Sequence, residues 1–258
     1  MFWIIFLNAV FASTFTIGKA ALNTGASPVF FIGLRMLLGG VGLLGYWYCF
    51  GLKQVASIKK HIKDILLYSL IGIAVSYLTE FWVLQKITSI KSSLIFNLSP
   101  FIAALLSYWL LSEKMNKQKW IAIAIGFCGF IPLVMYLPES DSLFSVSIFD
   151  FFMLLSVVAY TFGWVQMKKL VQAGFSPIWV NGFAMFLTGI ISLSLSGATG
   201  TFATNISSWT TFIPLLIAIV IVGNFISYIG LGFLLRRYSA TFITLSGLVR
   251  PLFAGAYG

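Results

Sequence analysis

Long apolar runs follow one another along this chain, separated by short polar breaks. Each run holds about twenty residues without strict alternation of polarity. That fits helices crossing the roughly 30 Å hydrocarbon core of a bilayer, whereas a barrel strand needs only about ten residues of alternating character. The pattern predicts nine spans, at 1–22, 28–50, 64–86, 90–112, 118–137, 148–170, 177–196, 211–235 and 240–258. The expected fold class is all-α, a polytopic membrane protein with the lipid bilayer as solvent.

Composition supports this. Of 258 residues, 60% are hydrophobic and 9% charged, and the mean hydropathy is +1.01; a soluble domain carries about a quarter charged residues. The net charge of +10 does not point to nucleic acid, because the sixteen Lys and Arg are scattered in ones and twos between apolar runs. They read as topology signals, since positive loops stay in the cytoplasm. With the N-terminus inside, eleven basic residues fall on cytoplasmic ends (Lys53, Lys59, Lys60, Lys63, Lys114, Lys117, Lys119, Lys168, Lys169, Arg236, Arg237), against three on the other side (Lys19, Lys86, Lys91). The expected location is a cytoplasmic membrane, with the N-terminus inside. Met1 leads into Phe2, Trp3 and Ile4 without a basic region, so the first run is expected to be a permanent span.

Chemistry is sparse. Cys49 and Cys128 lie within apolar runs, as packing residues, and His61 lies in a basic loop, so neither disulfides nor a metal site are expected. Neither a Gly-rich phosphate loop nor a nucleophile beside a base is present. The chain is expected to be no enzyme and to need no cofactor; transport would draw on a proton gradient, on exchange or on facilitated flow.

Sliding the chain along itself reveals an internal repeat. At an offset of 149, Lys19 falls on Lys168, Gly25 on Gly174, Ser27-Pro28 on Ser176-Pro177, Gly33 on Gly182, Met36 on Met185 and Gly40 on Gly189. At 151, Gly72 falls on Gly223, Ser76-Tyr77 on Ser227-Tyr228 and Pro100 on Pro251. Each copy holds five spans, and an odd number makes the second copy enter the membrane from the opposite face. Such inverted repeats recur in secondary transporters, with the substrate site between the copies. The expected units are 1–137 and 148–258.

Several of these residues resemble a known family. Ser27-Pro28 followed by Arg35, the run Tyr77 to Gln85, and Asn97-Leu98-Ser99-Pro100 followed by Ser112-Glu113-Lys114 are similar to the drug/metabolite transporter superfamily, in particular its ten-helix EamA-type members. The resemblance implies a 5+5 inverted fold, cytoplasmic termini and a central cavity walled by spans 1 to 4 and 6 to 9. The tenth span is missing from the sequence, which is expected to be a fragment. Glu80-Phe81-Trp82 and Asn97 to Pro100 also look somewhat like S-adenosylmethionine carriers of obligate intracellular bacteria.

Charges within spans are functional candidates because lipid tolerates them poorly. There are three: Arg35, Glu80 and Arg250. Arg35 and Glu80 lie at similar depth and are expected to pair, with Asn97 beside them. Arg250 lies near the midplane with no acidic residue at its depth, so an anionic ligand is its expected partner, and its guanidinium fork suits carboxylate or phosphate. Tyr77, Trp82, Trp109, Tyr160, Trp164, Gln166, Asn181, Asn224 and Tyr228 are candidates to frame the pocket. Pro100 and Pro251 are candidate hinges, and Gly39, Gly40, Gly42 and Gly45 allow close helix contact. Together these point to alternating-access transport of a small polar metabolite, an amino acid or a derivative. The competing classes are a non-transporting scaffold or lipid-handling protein and a membrane-embedded enzyme.

Overall fold

A computed structural model describes residues 2–50, 57–111, 147–202, 206–238 and 240–250, with isolated positions from 116 to 128 and residue 253. Every regular element among them is helical. Seven helices are long and apolar enough to cross a membrane: α1 (Phe2–Leu22), α2 (Pro28–Cys49), α3 (Ile58–Leu84), α4 (Ser89–Leu111), α5 (Ile148–Gln172), α6 (Pro177–Ala198) and α7 (Trp209–Leu234). The shorter α8 (Ala240–Ser246) runs into a 3₁₀ turn, Gly247–Val249. The expected span at 118–137 lies outside the described residues except for isolated positions, as does most of 240–258 beyond Arg250. His61, expected in a loop, lies on the first turns of α3, and both cysteines are exposed rather than packed.

Local chemistry sets the ends. Gly25 and Gly174 adopt φ of 89° and 96°, left-handed values that cost glycine little, and so end α1 and α5 sharply. Ser27 and Ser176 then sit in extended conformation with Pro28 and Pro177 opening the next helix, where the missing N–H would have had no partner anyway. At the start of α5, the Asp150 carboxylate accepts from the Ser147 backbone N–H at 2.7 Å and from its hydroxyl at 3.1 Å. A negative charge at a helix N-terminus is favourable there.

Four helical segments are irregular at matching places. α3 and α7 change from α to π geometry over Tyr68–Val75 and Val220–Ser227. α4 breaks at Asn97-Leu98, just before Ser99-Pro100, and the chain after α8 tightens to 3₁₀ just before Arg250.

The centre is the crossing of α2 and α6, which run antiparallel. A Cβ on Gly33 would meet Leu193, and one on Gly182 would meet Leu44; one on Gly40 would lie 2.4 Å from the Phe186 nitrogen, and one on Gly189 2.5 Å from the Leu37 nitrogen. Each contact recurs 149 residues on with partners exchanged. The flanks match as well. α3 packs on α5 through Gly72 and Gly163, α7 on α1 through Gly223 and Thr14, while Lys19 donates to the Ile87 carbonyl and Lys168 to the Leu235 carbonyl. Of the span-2 glycines, Gly39 faces Asn224, Gly40 the Phe186 backbone and Gly42 the Phe225 ring, but Gly45 faces open space.

α5 is tied down at both ends. Lys91 on α4 pairs with Asp150 at 3.0 Å, and Asp64 on α3 pairs with Lys169 at 2.8 Å. About half of each span is buried, 44% to 56% of its most apolar stretch, which leaves the other face for lipid. The chain is an integral membrane protein.

Gly40→Val and Gly189→Val should each destabilise the fold by about 1–3 kcal/mol, because the added carbons meet backbone that cannot swing aside. Gly45→Ala should be neutral or slightly stabilising, alanine being the better helix former by about 1 kcal/mol. Thermal unfolding in detergent separates the two classes; equal midpoints for Gly40→Val and Gly45→Ala would refute the close crossing.

Candidate functional site

Aromatic residues four apart line the inner faces of three helices: Phe11 and Phe15 on α1, Tyr77 and Phe81 on α3, Tyr160 and Trp164 on α5. That spacing places both members of a pair on one helix face. The rings form a continuous series. Phe81 neighbours Tyr77 at 6.2 Å and Tyr77 neighbours Tyr228 at 6.4 Å. Tyr228 stacks on Trp164 at 5.6 Å and 18°, and Trp164, Tyr160, Phe96 and Phe15 follow in edge contacts. At its middle the Tyr77 and Tyr228 hydroxyls hydrogen-bond at 2.6 Å, so these two repeat partners touch directly.

One arginine stands toward each end of this series. Arg35, 1% exposed, donates from Nε to Asn224 Oδ1 at 2.8 Å, and its guanidinium lies 4.9 Å above the Tyr77 ring and 5.4 Å from Phe81. Asn224 is held in turn by the sulfurs of Met36 and Met185, themselves repeat partners, at 3.5 and 3.3 Å. Arg250, 5% exposed, donates from Nε to Asn8 Oδ1 at 2.8 Å and from Nη1 to the Tyr160 hydroxyl at 3.4 Å, and lies 4.3 Å above Phe11. Asn8 is oriented by its amide, which donates to the Ile4 carbonyl and to Ser246 Oγ. Each arginine therefore reaches across from one half to an asparagine of the other, with a cation over an aromatic face worth about 0.5–2 kcal/mol.

Two expectations are corrected here. Arg35 and Glu80 form no ion pair; Arg35 is turned toward Asn224, and its Nη1 is buried without a partner. Arg250 does not wait on a ligand for its partner, since its guanidinium is taken up by Asn8, Tyr160 and Phe11. Glu80 is buried on the Tyr77 face of α3 and makes no hydrogen bond or ion pair among the described residues. A buried donor without an acceptor costs about 1–3 kcal/mol, so Arg35 Nη1 is an expensive atom to leave bare.

The other candidates divide. Trp164 and Asn224 belong to the cluster. Asn97 is buried at the break in α4. Pro100 is buried in the turn after that break, and Pro251 lies outside the described residues. Trp82 is 42% exposed and packs on Phe149 and Phe152 instead, because five residues past Tyr77 the helix has turned roughly 140° away from the cluster. Trp109 is 70% exposed on the outside. Asn181 accepts from the Tyr68 hydroxyl, and Gln166 is buried with its Oε1 unpartnered. Asn8, Phe11 and Tyr68 were missed. Asn8 had a usable signal, being an amide within an otherwise apolar turn of the first span. A cavity of about 330 Å³ opens one turn of α5 beyond Trp164, lined by Lys168, Phe175, Ser176, Leu235 and Arg236 among others.

The sequence matches the EamA-like transporter family over residues 1–135. It is 30% identical to an S-adenosylmethionine/S-adenosylhomocysteine transporter of Chlamydia muridarum, over 99% of this chain and 82% of that protein, and to one of the same description from Chlamydia trachomatis serovar L2, over 99% and 80%. An uncharacterized transporter of Bacillus subtilis, YetK, is 26% identical over 68% of this chain and 53% of its own length. A solved structure, 16% identical, superposes with a TM-score of 0.73 over 98% of this chain and 85% of that one, and so shares the fold. The seven spans and these relatives agree: the chain is a membrane transporter and belongs to the EamA-like transporter family.

Proposed function

We propose that this protein is a secondary transporter of two inverted halves, 1–137 and 148–258, which carries S-adenosylmethionine or S-adenosylhomocysteine across a bacterial cytoplasmic membrane by alternating access. One observation carries the reading. The buried polar and aromatic residues converge where the halves meet, with Tyr77 of one half hydrogen-bonded to Tyr228 of the other. Breaking one hydroxyl contact opens a path between aromatic walls, and remaking it closes the path. The parallel stack of Trp164 and Tyr228 offers the kind of face on which a purine ring slides. The names of the chlamydial relatives support this substrate class.

Inversion is supported by the antiparallel crossing of α2 and α6, and by contacts that repeat with their partners exchanged. Related halves can trade conformations at little cost, because each adopts the shape the other has left. The basic residues at the Asp64–Lys169 end of α5 support a cytoplasmic position for that end and for the N-terminus, by the positive-inside rule. The cavity beyond Trp164 is then the approach from the cytoplasm. The Asp64–Lys169 and Lys91–Asp150 pairs tie α5 to the first half at opposite ends, and opening toward either side loosens the pair at that side. Exchange of one adenosyl compound for the other needs no further coupling ion, whereas net uptake would draw on a proton gradient.

Proteoliposomes holding the purified protein should accumulate labelled S-adenosylmethionine, and faster when preloaded with unlabelled S-adenosylhomocysteine. Uptake no greater than in protein-free liposomes, under exchange and under an imposed proton gradient alike, would end the substrate assignment. Gly223→Ala should cut the initial rate about tenfold or more, because its Cβ would stand 2.6 Å from Arg35 Nη2 and push the guanidinium off Asn224. An unchanged rate in a correctly folded Gly223→Ala protein would detach Arg35 from transport.

A further inference from the structure

Two buried groups of opposite charge share the centre of this molecule without touching. The Arg35 guanidinium is fixed by Asn224 at Nε and by the faces of Tyr77 and Phe81, yet its Nη1 has no acceptor. Glu80, one turn along α3 from Tyr77 and beside Phe81 in sequence, is buried and has no donor among the described residues. An Arg–carboxylate pair left apart in a low-dielectric interior forgoes its own attraction, so the separation makes sense only if something spans it. A lone anion would satisfy Arg35 and leave Glu80 repelling it; a lone cation would do the reverse.

Arg250 is a different kind of residue. Its Nε, its Nη1 and its flat face are all occupied, and its acceptor Asn8 is itself clamped by Ile4 and Ser246. It holds the two halves together, with Nη2 alone left outside these contacts. Both arginines are tied across the interface, but among the described residues only Arg35 keeps a buried guanidinium nitrogen, Nη1, without an acceptor.

We infer that the site reads the α-amino acid group of its substrate as a zwitterion, with the carboxylate on Arg35 and the ammonium on Glu80, and that Arg250 is a latch between the halves. The inference rests on the transport reading and sharpens it. Specificity lies in the head group, and the aromatic series receives whatever side chain follows: a thioether, a sulfonium or a nucleoside. The planar fork of Arg35 suits a carboxylate, and Phe81 and Tyr77 beneath it exclude the water that would otherwise compete.

The test is displacement binding to the purified protein, using S-adenosylmethionine, S-adenosylhomocysteine and methionine beside compounds that lack one or both charges of the α-amino acid group. Those compounds are 5′-methylthioadenosine, N-acetylmethionine and methionine methyl ester. The three zwitterions are expected to bind and the other compounds to bind about thirtyfold more weakly or not at all. Arg35→Gln and Glu80→Gln should each erase that preference. The ligand panel on the unaltered protein decides the matter even if a variant fails to fold. Equal displacement by 5′-methylthioadenosine and S-adenosylhomocysteine, or no binding by any compound with a free α-amino acid group, would overturn the inference. Methionine binding with the expected head-group preference while both adenosyl compounds fail would uphold it and remove the adenosyl substrate instead.

Discussion

The structure depends on how two arginines are kept out of lipid. A guanidinium inside a span must find hydrogen-bond acceptors within the protein, since the hydrocarbon supplies none. Here each arginine finds one on the opposite half of the molecule, Arg35 on Asn224 and Arg250 on Asn8. The charges that lipid would reject are thereby made into the bonds that join the halves, and everything else near the centre is arranged around them.

The glycines follow from this requirement. Gly223 leaves room for the Arg35 guanidinium, and Gly39 for the Asn224 side chain that receives it. Gly72 and Gly163 bring α3 and α5 close enough for the Tyr77, Tyr160 and Trp164 rings to share one enclosure with Tyr228. In lipid no hydrophobic drive pushes helices together, so close packing and buried polar contacts must do it. The π segments of α3 and α7 lie at these close approaches, where a widened turn re-aims side chains toward the centre.

Beyond the close α2–α6 crossing, the side-chain hydrogen bonds between the halves among the described residues go mostly to neutral amides, hydroxyls or carbonyls, such as Tyr77 to Tyr228. Such bonds are worth about 0.5–1.5 kcal/mol each. The Lys91–Asp150 pair is the more demanding tie, because it joins two charges, Lys91 buried and Asp150 partly so.

The sequence alone carried the helical class, the membrane, most span positions and the pairing of residues 149 to 151 apart, because each is a matter of periodicity or spacing along one chain. It also named Arg35, Glu80, Arg250, Tyr77 and Tyr228, since charges in apolar runs and residues matched between repeats stand out without coordinates. It could not say who meets whom. Arg35 looked like the partner of Glu80 because both lie at one depth, yet depth leaves the rotation of each helix free, and the α2–α6 crossing turned Arg35 toward Asn224. Trp82 looked like its neighbour Glu80 and faces away, because the helix turns 100° per residue. Rotation about a helix axis, and the partner it selects, is fixed by packing across the whole bundle, and only the tertiary structure holds that information.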